Sequence, residues 1–110
     1  MASTNIAIIK PKFCENSLAN QYQVANVKTV VDHFMARNDS ATALVVAIHI
    51  VPSGGTAVTS NRVMYRTLAG GESYFCPELV GRTLQADESV WASAGLANSV
   101  VIAADGRQIT

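Results

Sequence analysis

Thr42-Ala43-Leu44-Val45-Val46-Ala47-Ile48-His49-Ile50-Val51 is the stretch that decides the fold class of this chain. It is a continuous run rich in β-branched residues, bounded by Ser40 before it and by Pro52-Ser53-Gly54-Gly55 after it. In an extended chain successive side chains point to opposite faces. Leu44, Val46, Ile48 and Ile50 then fall on one face, and Val45, Ala47, His49 and Val51 on the other. A run of this length could make a short helix. The β-branched content and the Gly/Pro flank favour a strand, and apolar residues on both faces predict a central one.

Working outward, shorter patterns of the same kind follow. Ala7 to Lys10 is an apolar run stopped by Pro11, and Tyr22 to Val24 reads as a brief edge strand. Val27 to Arg37 alternates, with Val30, Phe34 and Ala36 expected to face inward although Asp32 interrupts them. Asn38-Asp39-Ser40 reads as a hairpin turn feeding the central strand. Asn61 to Leu68 is a strand, and Ser73 to Leu79 another, placed at an edge because Pro77 interrupts it. Gln85 to Glu88 is a turn before the strand Ser89 to Ala94. Asn98 to Ala103 and Arg107 to Ile109 read as one strand bent at Asp105-Gly106. Glu15 to Gln21 fits either a helical turn or a loop. About eight short antiparallel strands with turns every ~8–12 residues predict an all-β fold, a β-sandwich or jelly roll.

The 110 residues suit a single domain spanning 1–110, with residues 1–6 as a polar N-terminal arm; the segments before Lys10 and after Gly106 are expected to be held by neighbouring subunits. A chain of this size buries roughly 65% of its unfolded surface, enough for one core without a metal or a disulfide framework. Charged residues are 15% of the chain, against about 25% in an ordinary soluble domain. That shortfall points to surface covered by other subunits. The formal net charge is +0 and the pI is near 6.7, so no basic face is available for nucleic acid. No apolar run approaches the roughly 18 residues of a membrane span. Met1 to Ala7 is polar and lacks the form of a signal peptide, so the chain is expected to be made and kept in a cytoplasm until assembly.

Motif and spacing give little sign of catalytic chemistry. Ser53 in Pro52-Ser53-Gly54-Gly55 lacks both the frame of a nucleophile elbow and the lysine of a phosphate loop, and reads as a turn. His33 and His49 lie in strands expected to be neighbours, where they could face each other with Asp32 nearby. Asp32 and His33 are consecutive, however, and point to opposite faces. No catalytic, cofactor-binding or metal-ligating residue is therefore assigned. Glu72, Glu78, Asp87 and Glu88 fall in or beside turns. Cys14 and Cys76 read as reduced, half-buried thiols, with a Cys14–Cys76 bond formed after cell lysis as the alternative. Trp91 is either a core residue or an exposed anchor; Trp91, Tyr22 and Tyr65 are the candidate interface residues.

Several stretches together resemble a group of small tailed-bacteriophage virion proteins with a β-sandwich fold. They are Ala47-Ile48-His49-Ile50-Val51-Pro52-Ser53-Gly54-Gly55-Thr56, then Asn61 to Tyr65, then Leu84 to Ala94, and finally Ser99 to Ile102. The resemblance runs from Val27 to the C-terminus and implies assembly without catalytic residues. It implies a virion structural protein made in the host cytoplasm, homo-oligomeric and bound to other virion proteins. A capsid decoration or cement protein on the major capsid protein comes first, and a neck, collar or tail component second. The rival classes are a glycan-binding fibre or lectin-like module, which would use exposed aromatics such as Trp91, and a cupin-type enzyme, which would need a histidine cluster.

Overall fold

The computed structural model describes residues 3–109. Its strands are β1 (Ser3–Phe13), β2 (Ala19–Gln23), β3 (Lys28–Asn38), β4 (Leu44–Val51), β5 (Arg62–Leu68), β6 (Ser73–Tyr74), β7 (Thr83–Leu84), β8 (Ser89–Ala94) and β9 (Val100–Ile109). They form two antiparallel sheets. One runs β1-β9-β3-β6, with β7 also on β3, and the other runs β2-β8-β4-β5. The pairs β1·β9, β2·β8, β3·β6/β7 and β4·β5 join first to last and work inward. That is a two-stranded ribbon rolled up on itself, closed by the further pairs β3·β9 and β4·β8. The fold is a β-sandwich of jelly-roll topology.

The core lies between the sheets. Val46, Ile48 and Ile50 of β4 and Val90, Ala92 and Ala94 of β8 meet Val31, Phe34 and Ala36 of β3 and Val100, Ile102 and Ala104 of β9. The alternation in β4 therefore has its expected consequence, and β4 is central in its sheet. Its other face is buried too, with Ala47, His49 and Val51 at 7%, 4% and 2% exposure. Here the loop after β4 folds back. His49 Nδ1 lies 3.0 Å from the Val58 carbonyl oxygen and 2.9 Å from Asn61 Oδ1. Asn61 Oδ1 also accepts from the Val58 N–H, and Asn61 Nδ2 donates to the Thr56 carbonyl. Both partners of Nδ1 are acceptors, so that nitrogen carries the proton.

Four expectations need correction. Asn38-Asp39-Ser40 does not make a hairpin, because β3 and β4 belong to different sheets. Asn38 is fully buried, and its amide donates to the carbonyls of Thr42 (2.7 Å) and Leu68 (2.9 Å). Its Oδ1 accepts from the N–H and hydroxyl of Ser40. These bonds carry the chain across the sandwich.

The inward face of β3 is Val31, Phe34 and Ala36, with Val30 only half-buried. The register shifts between Val31 and His33, so Asp32 is the extra residue of a bulge. The bulge frees Asp32 to accept a forked pair of hydrogen bonds from the Arg107 guanidinium, at 3.0 and 3.2 Å from Nε and 3.0 Å from Nη2.

The polar arm expected at 1–6 is, from Ser3 onward, part of β1. Ser3 to Ala7 pair with Ile109 to Asp105. Ser3 to Ala7 and Asp105 to Ile109 thus hold each other through backbone bonds, which need no apolar pattern; Met1, Ala2 and Thr110 lie outside the described residues. Finally, Ser73 to Leu79 is a strand only at Ser73–Tyr74, because the chain turns at the left-handed Cys76.

Strand β9 is continuous through Asp105-Gly106, and both of its neighbours shift register beside that step. A Cβ on Gly106 would overlap the Val30 carbonyl oxygen and come within 2.8 Å of Ile8 Cδ1. Glycine is required there by the close approach of β3. The stretch left open between β1 and β2 is a turn pinned by a triangle. Lys12 Nζ donates to Glu15 and Gln21 (2.9 Å each), and Gln21 Nε2 donates to Glu15 Oε1 (2.8 Å). The Gln21 and Lys12 bonds hold the Glu15 carboxyl below its ordinary value.

Two stability measurements check this packing. Ile48→Ala should cost about 2–5 kcal/mol in a denaturant melt, the range for removing buried methylenes. A cost below roughly half a kcal/mol would place Ile48 outside the core. Asn38→Asp should cost at least about 3 kcal/mol at neutral pH, because a carboxylate cannot donate to the two buried carbonyls.

Candidate functional site

The segment Ser73-Tyr74-Phe75-Cys76-Pro77-Glu78-Leu79-Val80-Gly81 builds one wall of an open surface groove. Cys76 has φ 44, a left-handed conformation rare for a side chain of this kind. The chain therefore leaves the sheet after Tyr74 and makes a turn, in which the Cys76 carbonyl accepts from the N–H groups of Leu79 (2.9 Å) and Val80 (3.3 Å). Pro77 has no N–H to extend a ladder. The turn drives Cys76 and Leu79 into the core, at 0% and 1% exposure. It leaves Phe75 at 68% and Val80 at 45% exposure on the outside. Gly81 then donates to the Val31 carbonyl, which anchors the wall to the bulge of β3.

The floor of the groove is the outer face of the β1-β9-β3 sheet. Met35 pairs with Ala103, and His33 with Asp105. Ala7, Lys10 and Pro11 of β1 form the far side. The groove measures about 640 Å³. It continues past Ala7, His33 and Asp105 into a more polar hollow of about 590 Å³ that also touches Asn5, Asp32 and Gly106. Small and linear side chains make the floor flat, while Phe75 and Pro11 make the walls. The arrangement can take up apolar groups, with one cation and one anion at its rim.

The residues named from sequence fall elsewhere. Trp91 is half-buried on the outer face of the opposite sheet, directly across from His49, and its indole N–H donates to Ser89 Oγ at 2.9 Å. Tyr65 lies on the edge strand β5, 59% exposed, with the Arg62 guanidinium 3.9 Å over its ring. Tyr22 packs against the core, its hydroxyl 3.5 Å from Thr29 Oγ1 on the other sheet. The structure thus puts Trp91 and Tyr65 on two strands flanking β4, and turns Tyr22 inward.

His33 and His49 are on different sheets and cannot face each other, which corrects the expectation of neighbouring strands. Among the described residues no three His, Cys, Asp or Glu side chains converge. Both cysteines are free thiols and fully buried.

Sequence reasoning missed Phe75, Val80, Met35 and Ala103. Reading Ser73 to Leu79 as one strand hides the turn that exposes Phe75. The available signal is Pro77, which cannot extend a ladder; the left-handed angle at Cys76 that makes the turn leaves none.

No family model matches the chain, and no curated protein matches it. Among solved structures the chain is similar to a structure of infectious bursal disease virus, strain Gx, at 11% identity and TM-score 0.39. That match covers 98% of this chain and 33% of the other. It is also similar to a mutant VP2 protein from T=1 particles of the same virus, at 14% identity and TM-score 0.33, over 97% and 30% of the two chains. The chain spans about a third of the length of these structures.

The thiols provide a check on the wall of the groove. Burial pushes Cys14 up to about 11 and Cys76 up to about 12 from an ordinary value of 9.0. The native state keeps its thiol protons where the unfolded state loses them, so stability should fall as pH rises from 9.0 toward those values. Denaturant melts between those limits should show the slope, and replacing both cysteines with alanine should flatten it. A thiol-reactive dye should label neither cysteine in the native protein near pH 8 and both after unfolding. Rapid labelling of Cys76 would mean the turn opens readily.

Proposed function

We propose that this chain is a non-catalytic structural subunit of a bacteriophage virion, acting as a homo-oligomeric decoration or cement protein on the capsid surface. The observation that carries the reading is the open apolar groove behind Phe75. A small domain gains nothing in isolation from leaving a large aromatic side chain in water beside the apolar stretch of floor at Met35 and Ala103, and such patches mark contact surfaces. The sequence resemblance to virion β-sandwich proteins supports the same class. Jelly rolls also serve as lectins and cupins, so fold by itself leaves the role open. Low charge content and zero net charge fit a domain that packs against other proteins. A neck, collar or tail component would use the same surface against a different partner.

The test is co-sedimentation of the purified protein with emptied capsids of the phage that encodes it. Saturable binding at a fixed ratio to the capsomers is the expected result, weakened by Phe75→Ser. Binding to purified tails or necks instead would move the protein to that location. Binding to no virion component would overturn the proposal.

A further inference from the structure

We propose that the groove on the outer face of the β1-β9-β3 sheet is a self-association surface. In this contact two copies of the chain face each other across a two-fold axis, Phe75 of each packs into the groove of the other, and Lys10 of each meets Asp105 of the other. The inference rests on the reading of this face as an assembly surface and names its partner.

Phe75 supplies the apolar part. At 68% it is more exposed than Tyr65 at 59% or Leu96 at 51%. It stands beside a floor of Met35, Ala103 and Ala7. A groove that carries its own protruding aromatic at one wall has both halves of a reciprocal contact. In a two-fold interface the same patch serves both partners, so a knob and its socket must lie on one surface.

The charges select a second copy over an unlike partner. Lys10 and Asp105 both line the groove. Among the described residues the ion pairs are Lys12–Glu15, Arg37–Asp39, Arg66–Glu72 and Arg107–Asp32, and neither Lys10 nor Asp105 is paired with any of these residues. The register also keeps the two apart. Asp105 sits opposite Ala7, three positions from Lys10 along β1, which is roughly 10 Å in an extended chain.

Two opposite charges at a fixed spacing on one face are matched by the same pair turned through a half-rotation. Each copy's lysine then meets the other copy's aspartate without further adjustment. An acidic partner would suit Lys10 and be repelled by Asp105, and a basic partner the reverse. Electrostatic matching of this kind sets register and excludes wrong partners.

The experiment is sedimentation analysis of the full chain over a range of concentrations. Wild type should self-associate. Phe75→Ser should weaken association by about tenfold or more, as loss of a buried aromatic anchor does. Lys10→Asp alone and Asp105→Lys alone should each weaken it by roughly tenfold through like-charge contacts. Mixing those two single variants should restore association, because every charge then meets its opposite across a mixed pair.

All three positions are exposed, so thermal melts should stay close to wild type. Should one variant fold poorly, the salt dependence of wild-type association gives an independent readout, and association should weaken as salt rises. A wild-type protein that stays monomeric, or a mixture no stronger than its components, would overturn the two-fold contact. Capsid binding that survives in such a monomer would leave the structural-subunit reading standing. Groove-dependent pairing without any virion binding would support the contact and remove that reading alone.

Discussion

A single buried amide, Asn38, stands where the chain leaves one sheet and enters the other. Its two donors go to the carbonyls of Thr42 and Leu68, and its oxygen takes the N–H and hydroxyl of Ser40. All four hydrogen-bonding positions of the side chain are used, at zero exposure. Everything downstream depends on that crossing. If residues 38–43 made a tight hairpin, β4 would lie beside β3 and one flat sheet would result. The crossing instead stacks β4 over the first sheet, which lets Val46, Ile48 and Ile50 meet Phe34 and Ile102. Burying both inner faces against each other is the main gain that a fold of this size has available.

The outer faces of the two sheets are treated differently. Over β4 the following loop folds back and is fastened by His49 and Asn61, so Ala47, His49 and Val51 are buried although they point away from the core. Across the sandwich, among the described residues, no comparable loop lies over Met35 and Ala103. Cover there comes from the Cys76 turn, which builds a wall at one side and leaves the floor open. A sandwich can close its own outer face when a connecting loop is long enough, as the 52–61 loop is.

The legible and illegible parts of the sequence divide along the same physical line. Strand β4 could be read because burial on both sides leaves a double alternation in side chains. Strand β8 could be read from Val90, Ala92 and Ala94. Pairing partners could not, because β1·β9 and β3·β9 are made by backbone groups common to every residue, between segments far apart in the chain. Polar Ser3 to Asn5 therefore looked like a loose arm although they form an edge strand. The bulge at Asp32 looked like an interruption of a face, when it is the device that turns Val31 and Phe34 to the same side. Trp91 and Tyr65 were named for their chemistry alone, and the structure sets them on one sheet. The groove depended on one backbone angle at Cys76, and no side-chain pattern encodes a left-handed cysteine.

That angle links the core to the surface. Turning Cys76 inward places its thiol 3.7 Å from Met64 Sδ, in the interior of the sandwich. In the same turn Phe75 stays outside, 68% exposed. Phe75 is therefore held by a residue that the core itself keeps in position, and so is Val80, through the hydrogen bond to the Cys76 carbonyl. A wall fixed from within keeps its shape before any partner arrives, which lowers the ordering cost of association. The open face of the first sheet is in this sense a built surface: its floor is set by strand register, its wall by one buried turn, and its two charges by their separation along the strands.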